Sequence, residues 1–97
     1  MSILMEVLQE ELDRLDRQQV AYESHLRELP RGYISKKKIR GKESYYLQYR
    51  EGAKIVSKWI PAANLQKVEK QVNQRKMLEA SLRRVKEDQK KLRKVLV

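Results

Sequence analysis

Residues 29–61 read LPRGYISKKKIRGKESYYLQYREGAKIVSKWIP, and the fold turns on how this stretch is read. Three runs rich in Tyr, Ile and Val have strand character. Between them stand Arg40-Gly41 and Glu51-Gly52, where glycine readily takes the positive φ that two-residue hairpin loops require. The expectation is a three-stranded antiparallel meander. With those two loops, Ile34 faces Leu47 and Leu47 faces Val56, and Lys36, Tyr45 and Lys58 form the adjacent row. The opposite face then carries Tyr33, Ile39, Tyr46, Ile55 and Trp59 among Ser35, Ser44, Gln48 and Ser57. Both faces are partly apolar, and the aliphatic Ile34, Leu47, Val56 face is the expected core side.

Outward from the meander, both flanks are helical in pattern. Upstream, Met1, Met5, Leu8, Leu12, Leu15, Gln19, Tyr22, Leu26 and Leu29 alternate in steps of four and three. This is a heptad seam with one polar member, and Ile3, Leu4 and Val7 widen it near the start. Ser2 is a candidate N-cap, and Leu29-Pro30 ends the helix near Glu28, because proline disfavours helical geometry in the residue before it. Downstream, Pro61 suits a first helical turn or Asn64 a cap. From there Leu65, Val68, Val72, Arg75, Leu78, Leu82, Val85, Gln89, Leu92 and Leu96 form a second seam with one short step. Facing seam positions of an antiparallel pair have a nearly constant index sum. A sum of 93–94 sets Leu12 opposite Leu82 and the polar Gln19 opposite Arg75. The expected fold is therefore α+β: a long antiparallel two-helix coiled-coil hairpin with the three-stranded meander inserted at its tip. Residues 1–97 form a single domain, divided into a helix over 1–29, the meander over 30–61 and a helix over 62–97.

Composition narrows the function. The chain has 97 residues, 37% of them charged, a mean hydropathy of -0.82 and no Phe, so its core is small and its foldability rests on regular apolar spacing. Without cysteine there are no disulfides, no thiol chemistry and no Cys-based zinc sites, which suits a reducing compartment. No apolar run approaches the roughly 18 residues of a membrane span. Met1–Leu8 lacks a basic leader and a cleavage site, so a cytoplasmic protein without membrane contact is expected. No metal-ligand spacing appears, and the single histidine, His25, reads as a solvated residue beside the seam. Gly41-Lys42-Glu43-Ser44 looks like the end of a phosphate-binding loop but lacks the loop and helix that such a motif needs. No enzyme activity, cofactor, metal or small-molecule substrate is expected.

Charge is the remaining signal. The net charge is -4 over residues 1–30, +7 over 31–60 and +7 over 61–97, which makes +10 in all. The acidic first helix complements the basic last one and leaves the meander as the least compensated positive region. Its cations are interleaved with aromatic rings, and a narrow β-ribbon fits a DNA major groove. The residues expected to bind nucleic acid are Lys36, Lys38, Arg40, Lys54, Lys58 and Tyr45. Two other readings stand beside this one: a solvated sheet whose lysines discourage edge-to-edge association, and a surface for an acidic protein. In all of them the helices are candidates for homo-oligomer formation or for gripping a partner. Lys86, Lys90, Lys91, Arg93 and Lys94 with Leu92, Val95, Leu96 and Val97 read as an ordinary helix end, with a membrane-surface or nucleic-acid tail as the alternative.

The quoted stretch, followed by a helix containing VEKQVNQRKMLE, resembles a family of small uncharacterised bacterial proteins. In that family a leucine-proline-glycine entry and a YLQYREG-like strand pair lead into a long helix. The resemblance spans about residues 28–80 and implies no activity. In element order alone, the three strands and following helix are similar to the arm-type DNA-binding domains of integrases, whose sheet contacts the major groove. The long N-terminal helix departs from that pattern.

Overall fold

The computed structural model describes residues 2–96, and the chain mixes helix and sheet. Helix α1 spans Ile3–Arg27, strands β1, β2 and β3 span Tyr33–Ile39, Lys42–Glu51 and Lys54–Ile60, and helix α2 spans Leu65–Leu96. The strands form one antiparallel sheet in the order β1-β2-β3. By contact the chain divides into two compact units, residues 1–28 with 77–97, and residues 29–76.

In the first unit the apolar stripe of α1 is buried at Leu12, Leu15 and Leu26, and the second half of α2 contributes buried Val85 and Gln89. Every seam position of α2 from Leu65 to Leu96 is buried or half-buried, so the heptad phase is as expected. Its register is not. Gln89 donates to Asp16 Oδ1 at 2.8 Å and to Gln19 Oε1 at 2.9 Å, and Arg93 reaches Asp16 at 3.1 Å. These contacts have index sums of 105 to 109, where 93–94 was expected. The reason lies in the heptad itself: sliding one helix by two repeats keeps every seam position in phase and raises the sum by 14, from 94 to 108. That slide replaces Arg75 by Gln89 as the partner of Gln19. Ile3, Leu4 and Val7, expected to widen the buried stripe, are exposed. Ser2 occupies the N-cap position without a side-chain capping bond. Met1, the expected first member of the α1 seam, and Val97 lie outside the described residues.

In the second unit the chain enters the sheet through Gly32, whose φ of +107° disfavours any residue with a Cβ. A Cβ there would stand 2.0 Å from the carbonyl oxygen of Gln48. Arg40-Gly41 makes the first hairpin turn, with φ of +52° and +80°, the pattern of a type I′ loop. The β1–β2 register is the expected one, with Ile34 opposite Leu47 and Lys36 opposite Tyr45. The second turn falls on Gly52-Ala53, not on Glu51-Gly52, so Val56 meets Tyr49, and Lys58 meets Leu47. Glycine in the first loop position supplies the one positive φ of a type II′ turn. The alternative would have forced Glu51 into that region. Because the slip is two residues, the same side chains stay on each face. Pro61 opens a single 3-10 turn over Ala62–Asn64, and α2 starts at Leu65, three residues after position 62 and at the later of the two expected starts, directly after Asn64. Arg75 donates to the Leu29 carbonyl at 2.8 Å, tying α2 to the start of this unit, whose buried residues are Ile60 and Val72.

Candidate nucleic-acid interface

Alternation along the three strands, combined with the observed pairing, sorts the meander into two faces of different chemistry. The Leu47 face carries Ile34, Lys36 and Lys38 from β1, Glu43, Tyr45, Leu47, Tyr49 and Glu51 from β2, and Lys54, Val56, Lys58 and Ile60 from β3. Ile34, Leu47 and Val56 are half-buried and Ile60 is buried, so this is the core side, as expected. The Trp59 face carries Tyr33, Ser35, Lys37 and Ile39, then Lys42, Ser44, Tyr46, Gln48 and Arg50, then Ile55, Ser57 and Trp59. Here Tyr33, Ile39, Ile55 and Trp59 are all more than half exposed.

Five of the six residues expected to bind nucleic acid, Lys36, Lys38, Lys54, Lys58 and Tyr45, share the Leu47 face. The sixth, Arg40, sits in the first turn. Those four lysines are exposed, but the face holds both carboxylates of the meander. Lys36 Nζ lies 2.9 Å from Glu43 Oε1, and this hydrogen bond raises the Lys36 pKa above the ordinary lysine value. Tyr45 donates a long hydrogen bond of 3.5 Å to the same carboxylate, while Lys38 and Lys54 stand cross-strand from Glu43 and Glu51. Lys58 Nζ lies 5.6 Å from the centroid of the Tyr49 ring, and Arg31 approaches the same ring at 5.8 Å. The structure thus brings these residues onto one face and partners most of them there.

The Trp59 face has three cations, Lys37, Lys42 and Arg50, and no carboxylate. Tyr46 and Trp59 are direct cross-strand neighbours, and Lys37 Nζ sits 5.0 Å from the Tyr46 ring centroid. Beside them Gln48 donates to Ser57 Oγ at 3.0 Å. Sequence reasoning separated the two faces but did not apportion the charges between them. The signal was parity: Glu43 and Glu51 both alternate in phase with Leu47, which leaves the other face without an acid.

Among the described residues no group of three or more His, Asp or Glu side chains is placed to hold a metal ion, and no helix is long and apolar enough to cross a membrane. His25 is exposed, and its carbonyl accepts the Glu28 amide at 3.1 Å at the end of α1. A family described as a domain of unknown function (DUF6788) matches residues 5–70, a span that takes in most of α1, the whole meander and the first turns of α2. No curated protein and no solved structure matches the chain.

Proposed function

This chain belongs to the family of the DUF6788 domain, and we propose that it is a non-enzymatic, cytoplasmic nucleic-acid-binding protein whose contact surface is the β-meander. The observation that carries this reading is the charge of the central segment. Residues 31–60 hold nine bases against two acids, on a sheet that also displays four tyrosines and the chain's one tryptophan. Phosphates supply the missing negative charge, and ring faces supply packing or stacking surface. Lys36, Lys38, Arg40, Lys54, Lys58 and Tyr45 remain the contact residues expected from sequence, with Lys37, Lys42 and Arg50 added by their position on the carboxylate-free face. The two helices, in this reading, form a coiled-coil hairpin that carries the meander at its tip, and the Gln19-Gln89 pair sets its register.

A second reading has its own observation: Ile3, Leu4, Val7 and Val95 are apolar and more than half exposed. They favour an interaction module in which the helices self-associate or grip a protein, with the sheet as a structural cap. Sedimentation velocity separates the two. Co-sedimentation with a short DNA at low salt supports the nucleic-acid reading. A concentration-dependent dimer that ignores DNA supports the interaction module instead.

A further inference from the structure

We infer that the Trp59 face of the meander is a stacking platform for unpaired nucleotides, so that the preferred ligand is single-stranded nucleic acid and not a duplex groove. The inference rests on the nucleic-acid reading above and narrows it to one face and one ligand class. Three features of that face point the same way. Trp59 and Tyr46 are side by side across the β2–β3 pair, Trp59 is 63% exposed, and Tyr33 is 54% exposed on β1. The exposed rings of Trp59 and Tyr33, with half-buried Tyr46 cross-strand from Trp59, are a costly surface to leave bare, and they match the π-face that an unstacked base presents. Bases inside a duplex are already stacked on one another and cannot offer that face.

The second feature is charge. Lys37, against the Tyr46 ring, and Lys42 and Arg50, toward the two ends of β2, share this face with no strand carboxylate, while the opposite face sets Glu43 and Glu51 among its lysines. A polyanion is the occupant such a surface complements, whereas an apolar protein partner would have to desolvate three cations. The third feature is shape. Tyr33, Gln48, Arg50 and Ile55 line a groove on this face, together with Gly32 and Tyr49. It offers an edge for a sugar-phosphate strand at the Gln48 and Arg50 end of the face, starting two residues along β2 from Tyr46, with Arg50 among its walls. Ser57 and Gln48, bonded to each other at 3.0 Å, provide polar atoms for base edges without demanding a particular sequence.

The test uses the full chain and the fluorescence of Trp59, its single tryptophan, at low salt. The probes are a 15-nucleotide oligo-dT, a 15-nucleotide oligo-U and a blunt DNA hairpin of equal charge. Quenching of Trp59 by oligo-dT or oligo-U, with tighter binding than to the hairpin, is the expected result. The two single-stranded arms tell DNA from RNA within the same chemistry. Read by anisotropy of a labelled oligo-dT, since the Trp59 variants lack the one tryptophan, Trp59→Ala is expected to weaken single-strand binding roughly 5- to 100-fold, as the loss of one stacking contact does. Trp59→Phe restores most of it, and Lys70→Gln, an exposed position on α2 outside the meander, changes it less than about threefold, the loss of a single surface charge. Circular dichroism of each variant shows whether the fold is kept, and quenching of the wild-type chain needs no variant. Tighter binding to the hairpin, absence of quenching on binding, or a larger loss from Lys70→Gln than from Trp59→Ala overturns the platform while leaving nucleic-acid binding intact. Binding to none of the three probes overturns both readings.

Discussion

Gly32 and Arg40 show at the scale of single residues what the meander demands of its sequence. Gly32 combines φ of +107° with a backbone so close that an added Cβ meets the Gln48 carbonyl oxygen. Gly32→Ala is therefore expected to destabilise the protein by about 1–3 kcal/mol, read as a lower urea midpoint with an unchanged slope. Arg40 is the opposite case, the one non-glycine among the described residues at positive φ. Asn is the residue that this turn position accommodates most readily after glycine, so Arg40→Asn is expected to raise stability by about 0.5–1 kcal/mol. The same change removes one cation at the sheet's end, and nucleic-acid affinity should fall as stability rises. Thermal unfolding and oligonucleotide titration of this one variant check both directions.

At the scale of elements, the buried amide of Gln89 decides which heptads of α1 and α2 meet. It is 2% exposed and donates to both Asp16 and Gln19, while Gln19 in turn donates to Glu23 at 2.6 Å. Gln89→Ala leaves two acceptors without their donor and opens a cavity, so a loss of about 1–3 kcal/mol is expected. Gln19→Leu combined with Gln89→Leu should instead hold or raise the melting temperature while loosening register, because an apolar layer pairs equally well one repeat away. Disulfide trapping between cysteines at 26 and 82, whose indices sum to 108 as those of Gln19 and Gln89 do, checks this: near-complete cross-linking in the parent, partial cross-linking in the double variant. These two elements also show where the sequence was legible. The 3-4 spacing reports which side of a helix is buried, and every seam position of α2 was read correctly. It cannot report register, since a heptad repeat looks identical after a slide of seven or fourteen residues. The choice falls to Gln89, a second polar seam residue that competes with Arg75 as the partner of Gln19. The meander behaved likewise. Arg40-Gly41 was placed correctly, whereas the second glycine allowed two loops, and only the steric cost of positive φ at Glu51 separates them. A period of two forgave that slip, so the faces were right while the cross-strand pairs were not. The candidate site was legible as a segment, and its charges were not apportioned to faces.

For the molecule as a whole, the governing quantity is a net charge of +10, made of -4 over residues 1–30 and +14 over residues 31–97. Such a chain attracts polyanions at long range, and the attraction weakens with ionic strength because each phosphate contact releases a condensed counterion. If Lys37, Arg40, Lys42 and Arg50 make the phosphate contacts, three to four counterions leave a single strand. The logarithm of affinity should then fall with the logarithm of salt at a slope of roughly -2 to -3. The most direct measurement is fluorescence anisotropy of a labelled 15-nucleotide single strand titrated with the full chain between about 50 and 200 mM salt, a range over which counterion release is resolved. A linear fall amounting to roughly 15- to 60-fold across that range is the expected outcome. An affinity indifferent to salt, or no binding at about 10 μM protein in the lowest salt, where even non-specific complexes form, contradicts nucleic-acid binding by the meander.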